Sequence, residues 1–317
     1  MVVMSPPTPM EALRATFGEQ LQLDAPLARY TSARIGGRAD ALLIVQSVDE
    51  LVSAVSQLWE SRAEFTLLGG GSNVLVSDDG VRGLVLLNKA RKVWFREDSE
   101  GIVVSAESGA NFGAVARQAA QKGFSGLEWA AGIPGTVGGA VFGNAGAHGG
   151  DVQGSLRVAD ILHRTGGKQS WTLEDLVFSY RSSALKRNPG TAVVMTAVFN
   201  LQQASPEIIE EKIDSYLRQR RETQPPGASM GSMFKNPTGD YAGRLIDAAG
   251  LKGAKIGAAQ ISPLHANFFI NHGDASATDV LRLIELAREK VHKEFGVELD
   301  LEIELVGEWK TNEKDFA

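Results

Sequence analysis

Apolar residues recur along this chain in two periods, and the switches between them mark out its elements. Alternating or continuous apolar runs at 41–45, 65–68, 74–76, 84–87, 93–95, 102–106, 158–163, 169–172, 192–201 and 297–306 predict strands. Helical spacing appears between them. Ser47-Val-Asp-Glu50 has the form of a capping box and opens a helix with Val48, Leu51, Val55 and Leu58 on one face. Asn111 caps a shorter helix that turns Phe112, Val115 and Ala119 inward and stops at Gly123. Ser205-Pro206 starts a third, with Ile209, Ile213, Tyr216 and Leu217 inward and Arg218, Arg220 and Arg221 at its end. Ser276-Ala-Thr-Asp279 starts a fourth, with Leu281, Ile284, Ala287, Val291 and Phe295 in register. Met10 to Phe17 offers a single helical turn, and Thr165-Gly-Gly167 turns a hairpin. The chain has no internal repeat.

The stretch 130–151 fits neither period. Glycine stands at 132, 135, 138, 139, 143, 146, 149 and 150. Glycine loses the most backbone entropy on folding, so such density implies positive φ or close approach to the backbone. A flexible linker would be polar, whereas this stretch carries Ile133, Pro134, Val137, Val141 and Phe142. It reads as a ligand cradle whose free N–H groups converge on an anion such as a pyrophosphate. Gly69-Gly-Gly-Ser-Asn73, between two strands, is a second turn of this kind or a plain hairpin turn. Neither has the strand–GxGxxG–helix setting with an acidic residue downstream, so a Rossmann assignment fits poorly.

Composition narrows the function classes. With 43% hydrophobic and 22% charged residues over 317 positions, the chain reads as a globular protein of two or three domains. A formal net charge of −6 argues against a nucleic-acid surface. There is no cysteine, so disulfide and thiolate chemistry are excluded, and the five histidines are too scattered to hold a metal. No apolar run reaches membrane-spanning length, and the Pro-rich start lacks the features of a signal peptide, so the expected compartment is the cytoplasm.

Three polar clusters could carry chemistry. From spacing alone Tyr180-Arg181-Ser182-Ser183 reads as a surface pair with its neighbours. Gly231-Ser232-Met-Phe-Lys235-Asn236-Pro237 crowds hydroxyl, ammonium and amide around a forced turn and suits an anionic substrate. Glu298, Asp300, Glu302 and Glu304 alternate on the last strand, which places all four on one face. That face reads as solvated, with room for one carboxylate to enter a site.

Ala131-Gly-Ile-Pro-Gly-Thr-Val-Gly-Gly139 followed by Asn144-Ala-Gly146 resembles the flavin-binding segment of the UDP-N-acetylenolpyruvoylglucosamine reductase family (UDP-N-acetylmuramate dehydrogenases). Gly69-Gly-Gly-Ser-Asn73, Phe178-Ser-Tyr-Arg181, Gly231-Ser-x-Phe-Lys-Asn-Pro237, Ala249-Gly-Leu-Lys-Gly253, His265-Ala-Asn-Phe268 and Leu299-x-x-Glu302 fit the same pattern, in the family's order. The resemblance implies an α+β fold: a two-part FAD-binding region of the vanillyl-alcohol-oxidase-like type and a C-terminal α+β substrate-binding domain. The expected division is a flexible extension at 1–20, FAD-binding subdomains at 21–88 and 89–204, a substrate-binding domain at 205–310 and a tail at 311–317.

By the same resemblance Arg181, Ser232 and Glu302 are the catalytic residues. Gly69, Gly70, Gly71, Ser72, Asn73, Gly132, Ile133, Pro134, Gly135, Thr136, Gly138, Gly139, Asn144, Ala145 and Gly146 would hold non-covalent FAD. Tyr180, Arg181, Lys235 and Asn236 would hold the substrate. The implied reaction reduces UDP-N-acetylglucosamine enolpyruvate to UDP-N-acetylmuramate, with NADPH as hydride donor, for peptidoglycan synthesis. Only Gln202-Gln-Ala-Ser205 separates the strand 192–201 from the next helix, so the chain resembles the branch without a tyrosine-bearing loop there. The expected partner is a small UDP-sugar, with no nucleic acid or membrane, and the expected state is a monomer. The competing readings are a flavin-dependent alcohol or sugar oxidase, with His148 as a possible covalent flavin link, and a nucleotide-binding protein without turnover.

Overall fold

The computed structural model describes residues 10–309. In chain order the elements begin with α1 (Met10–Phe17), β1 (Leu21–Pro26), β2 (Arg38–Val45), α2 (Val48–Glu60), β3 (Phe65–Leu68), β4 (Val74–Val76) and β5 (Val81–Asn88). There follow β6 (Val93–Asp98), β7 (Gly101–Glu107), α3 (Phe112–Gln121), β8 (Phe124–Ser125), α4 (Val137–Gly143), β9 (Gly146–Ala147), β10 (Gly150–Asp151) and α5 (Val152–Ser155). Next come β11 (Leu156–His163), β12 (Gly167–Trp171), α6 (Leu173–Leu176), α7 (Ala184–Arg187), β13 (Ala192–Gln203) and α8 (Pro206–Thr223). The chain finishes with α9 (Ala242–Ala248), β14 (Lys255–Ile256), β15 (Ala259–Ile261), β16 (Phe269–Asn271), α10 (Ala277–Phe295) and β17 (Glu304–Val306).

These elements form two compact units, one from residues 10–42, 71–85 and 222–309, the other from 43–70 and 86–221. The second unit is built on the antiparallel sheet β12-β11-β13-β7-β6, with β8 added beside β13. Its alternation aims Val104, Ala106, Ala197 and Phe199 at α3 and α4, in a core that also takes Ile209 and Ile213 of α8. Phe112 and Phe199 are fully buried with ring centroids 5.2 Å apart. Each such side chain contributes about 1.5–3 kcal/mol by leaving water. Asn111 caps α3 as the sequence predicts, accepting from Ala114 N at 2.8 Å.

In the first unit β17 runs parallel to β4, with Glu304, Leu305 and Val306 opposite Val74, Leu75 and Val76. The antiparallel sheet β14-β15-β16, α9 and α10 enclose a separate core around Met233, Phe234, Phe269 and Leu283. Ser276 closes a capping box on α10, and Asp78 adds to it by accepting from Ala277 N at 2.7 Å and Thr278 N at 2.9 Å. A cap of this kind stabilises a helix by about 1 kcal/mol.

The structure differs from the sequence reading in three places. The glycine-rich stretch contains a helix, α4, and a small hairpin, β9-β10. The final strand is only Glu304–Val306. Gly296 ends α10 with φ 67, and residues 297–303 run irregularly with one isolated bridge at Leu301. Glu298, Asp300, Glu302 and Glu304 therefore do not share one face of a strand. Residues 10–20, given one helical turn at Met10 to Phe17 within a flexible extension, form the eight-residue α1 and a short 3-10 turn, and Leu13 and Phe17 are buried. Residues 1–9 and the expected tail at 311–317 lie outside the described residues.

Candidate active site

Within the second unit the two glycine loops are fitted to each other. A Cβ on Gly69 would lie 2.5 Å from Thr136 Oγ1, and one on Gly70 would lie 3.0 Å from Gly135 Cα. Thr136 is the N-cap of α4, its Oγ1 accepting from Gly139 N at 3.4 Å. Gly138 answers to a neighbour in the chain: its N–H donates to Ser108 O at 2.8 Å, and a Cβ there would sit 2.9 Å from Ser108 Cβ. At Gly139 the nearest atom to a Cβ is Thr136 Oγ1 at 3.5 Å, ordinary contact. The two adjacent glycines thus have different physical reasons.

A prediction follows from that difference. Gly138→Ala should unseat α4 and lower the unfolding temperature, whereas Gly139→Ala, which meets only ordinary contact and replaces glycine with a better helix former, should not lower it. Flavin lost from Gly139→Ala at unchanged stability would come from blocked approach of the ligand. Thermal melts beside flavin absorbance of both purified variants decide it, and equal melting losses would contradict the assignment.

Asn144 ends α4 in a left-handed conformation, φ 44, and is only 4% exposed. Its Oδ1 accepts from Gln153 N at 3.0 Å and its Nδ2 donates to Ser179 O at 3.1 Å. Ser183 Oγ donates to Phe142 O at 2.6 Å. The Asn144–Ser179 and Ser183–Phe142 bonds hold the Ser179–Ser182 turn against the end of α4. On that turn Arg181 has φ 55, a conformation that is uncommon without glycine and is tolerated where the surroundings enforce it. Its Nη2 donates to Gly146 O at 3.1 Å and its guanidinium lies 5.4 Å from the Tyr180 ring centroid. Asn144, Gly146, Tyr180 and Arg181 are therefore brought together. Tyr180 is exposed, as the surface-pair reading expects, while Arg181 also reaches Gly146 O. His148 stacks on Tyr216 at 4.2 Å between centroids and lies 3.1 Å from Gln219 Oε1.

In the first unit the segment 232–235 is held from both sides. Met233 N donates to Asn267 O at 2.8 Å, and Ser232 bridges Phe268. On the other side Glu302 N donates to Met233 O at 2.9 Å and Lys235 N to Asp300 O at 2.8 Å. Ser232 and Glu302, 70 positions apart in the sequence, are thereby tied through one backbone bond. Asn73 reaches the same segment: its Nδ2 donates to Glu302 O at 3.1 Å, and its own carbonyl accepts from Glu304 N at 2.9 Å. Asn236 Oδ1 accepts from Ala242 N at 3.1 Å and so orders the start of α9. Beyond it, the hydrogen bond from Arg244 holds the Asp240 carboxyl down to about 2.

Among the described residues the N–H groups of Gly70, Gly71 and Ser72 donate to no protein acceptor. Consecutive unpaired donors in a loop of small residues suit the diphosphate of a dinucleotide. Sequence reasoning assigned no role to Arg220. A Cβ on Gly132 would meet Leu217 Cδ2 at 3.2 Å and Arg220 Cδ at 3.4 Å, and burial lowers the pKa of this guanidinium. The spacing Ile213, Leu217, Arg220 places it on the inward face of α8, a signal that helical periodicity carries.

His265 gives folding stability a pH dependence. Burial is the main cause that holds its imidazole below the ordinary 6.5, and Lys252 adds to it. Its Nδ1 accepts from Asn267 N at 3.2 Å, which fits the neutral ring. A histidine with a depressed folded pKa contributes stability that is complete above about 6.5 and is lost as pH falls through the folded value, because the unfolded chain binds the proton more readily. Urea unfolding between pH 7.5 and pH 5 should show stability falling on acidification, and His265→Gln should flatten that slope. An unchanged slope in the variant would rule His265 out as its source.

Comparison with known proteins gives a consistent result. A family model for an FAD binding domain matches residues 39–164. A second, for the C-terminal domain of UDP-N-acetylenolpyruvoylglucosamine reductase, matches residues 222–306. The UDP-N-acetylenolpyruvoylglucosamine reductase of Rubrobacter xylanophilus is 46% identical over 287 residues, covering 90% of this chain and 95% of its own. That of Bacillus subtilis is 42% identical over 284 residues, covering 89% and 92%. The crystal structure of the enzyme from Thermus caldophilus aligns with TM-score 0.75 at 36% identity, covering 90% of this chain and 98% of its own. The loops 69–73 and 132–146 fall inside the FAD-binding match, and Ser232, Lys235, Asn236 and Glu302 inside the C-terminal one.

Proposed function

The chain belongs to the UDP-N-acetylenolpyruvoylglucosamine reductase family, an FAD-dependent oxidoreductase family of the expected α+β class, and from that premise we propose its reaction and the residues that perform it. The reaction is reduction of UDP-N-acetylglucosamine enolpyruvate to UDP-N-acetylmuramate at the expense of NADPH, as a step in making peptidoglycan precursors. Bound FAD would supply the two-electron relay between NADPH and the enolpyruvyl double bond. Gly69 to Asn73 and Gly132 to Gly146 would hold it, with the unpaired N–H groups of Gly70, Gly71 and Ser72 on its diphosphate. The division at 21–88, 89–204 and 205–310 into cofactor-binding and substrate-binding parts goes with this reading, as do a monomeric state and a cytoplasmic location.

The chain's own groups do the rest. Hydride arriving at the terminal enolpyruvyl carbon pushes the double-bond electrons towards the carboxylate, and charge gathers on its oxygens. A preorganised cation is the effective response to charge that develops in this way. Arg181, a planar fork fixed by Gly146 O, matches those two oxygens. The adjacent carbon must then gain a proton, and Ser232 Oγ delivers it. Serine is a weak acid, so Lys235, three residues on in the chain, would support it, with Glu302 as the further polar group at the reacting carbons. Lys235, Asn236 and Tyr180 would hold the sugar nucleotide.

The observation that carries this reading is the tie between Ser232 and Glu302 through the Glu302 N to Met233 O bond, inside a family match that includes both. Among the described residues no helix is long and apolar enough to cross a membrane, and no His, Asp or Glu cluster could hold a metal. Initial rates of NADPH oxidation with varied sugar nucleotide provide the test. Parallel double-reciprocal lines, with inhibition at high substrate, are expected if NADPH and the sugar nucleotide use one site in turn. Intersecting lines would count against it.

A further inference from the structure

The motif His265-Ala-Asn267-Phe268 has no task in the reaction outlined above, yet it lies directly against the segment that carries Ser232. Asn267 is 3% exposed. Its Oδ1 accepts from Phe234 N at 2.9 Å and its Nδ2 donates to Phe234 O at 2.8 Å. Its own carbonyl accepts from Met233 N at 2.8 Å. One asparagine thus satisfies three of the four backbone polar groups of Met233 and Phe234, and the fourth, Met233 O, accepts from Glu302 N.

Two of those bonds come from a side chain, where a strand partner would ordinarily stand. A primary amide presents a donor and an acceptor side by side, so it fixes the orientation of one residue's peptide groups without a continued strand. The opposite edge of the same segment is held by Glu302 and Asp300. Asn267 is itself fixed: its N–H reaches His265 Nδ1 at 3.2 Å, and Ser262 Oγ accepts from Leu264 N at 3.1 Å and His265 N at 3.2 Å. The backbone from Met233 to Phe234 is pinned on both edges, and the placement of Ser232 relative to Glu302 follows from that.

We propose that Asn267 is a positioning residue for Ser232, acting on proton delivery through the Met233–Phe234 backbone without touching the substrate. The proposal rests on the reaction given under Proposed function. A role confined to stability would slow both half-reactions together, or only lower the yield of folded enzyme. Positioning slows the step that uses Ser232 and no other.

The test is a double-mutant cycle read by stopped-flow flavin absorbance on the full-length holoenzyme. Asn267→Asp keeps the acceptor for Phe234 N–H and loses the donor to Phe234 O. Asn267→Ser leaves space for water and serves as the second variant if the first fails to retain flavin. In the presence of Ser232, either substitution should leave reduction by NADPH within about twofold and slow reoxidation by the enolpyruvyl substrate about 30- to 100-fold. In the Ser232→Ala background the same substitution should change reoxidation less than about threefold, since groups acting as a unit are not additive. Equal slowing in both backgrounds, equal slowing of both half-reactions, or no slowing at all would overturn the proposal. Failure of the unsubstituted protein to be reduced by NADPH or reoxidised by the sugar nucleotide would instead sink the reaction itself.

Discussion

Ser232→Ala is expected to leave reduction of the flavin by NADPH nearly intact and to slow reoxidation by the enolpyruvyl substrate by about 10⁴-fold or more. General acid catalysis contributes roughly 10²- to 10⁴-fold, and the upper end applies where no second donor stands at the same carbon. Hydride transfer from NADPH needs no proton at that carbon, so the first half-reaction is spared. Glu302→Gln should show the same selectivity with a smaller loss. Glu304→Gln should change little, because Glu304 lies in β17 opposite Val74, whereas Glu302 is the residue bonded to Met233. Stopped-flow traces of each half-reaction decide it. Equal slowing of both, or greater sensitivity at Glu304 than at Glu302, would overturn the role assignment.

Arg181→Lys should be the next most damaging of these changes. Lysine keeps the charge and loses the planar fork, and at a site matched to a carboxylate that exchange is not conservative. Loss of one preorganised donor to a developing oxyanion costs about 10²- to 10³-fold, and reoxidation should fall by that factor. Fold and flavin content should stay close to normal, because the Ser179–Ser182 turn is held by Asn144 and Ser183. A variant that lost flavin together with turnover would show that Arg181 supports the cofactor's fold and not the carboxylate.

Much of this arrangement is legible in the sequence because the signals are local. Ser47, Asn111 and Ser276 each cap the helix expected from the pattern, and the hairpin at Thr165-Gly-Gly167 forms between β11 and β12. α8 buries Ile209 and Ile213 as its spacing predicts. What the sequence hides is non-local. Three glycines in the seven residues of α4 each disfavour a helix by about 1 kcal/mol, so propensity argues against the element that forms. It persists through the Thr136 cap, through packing on β13 and β7, and through the fit of Gly138 against Ser108. The alternation at 297–306 imitates a long strand. Its partner β4 is only three residues long, and the preceding residues pair instead with the Ser232 segment.

The candidate site follows the same division. Motifs name Ser232, Glu302 and Arg181, but no spacing rule predicts that Asn73 would hold the Glu302 carbonyl or that Asn267 would satisfy Phe234. Both contacts join segments that only the tertiary fold brings together. Arg220 was legible through periodicity and passed over, because a charged residue at a helix end usually marks a solvated terminus.

Sequential mixing under anaerobic conditions tests the central claim most directly. The purified protein should carry the absorbance of oxidised FAD, lose it on mixing with one equivalent of NADPH, and regain it on a second mixing with UDP-N-acetylglucosamine enolpyruvate, with UDP-N-acetylmuramate formed in equal amount. Flavin that NADPH bleaches but only oxygen restores would contradict the account.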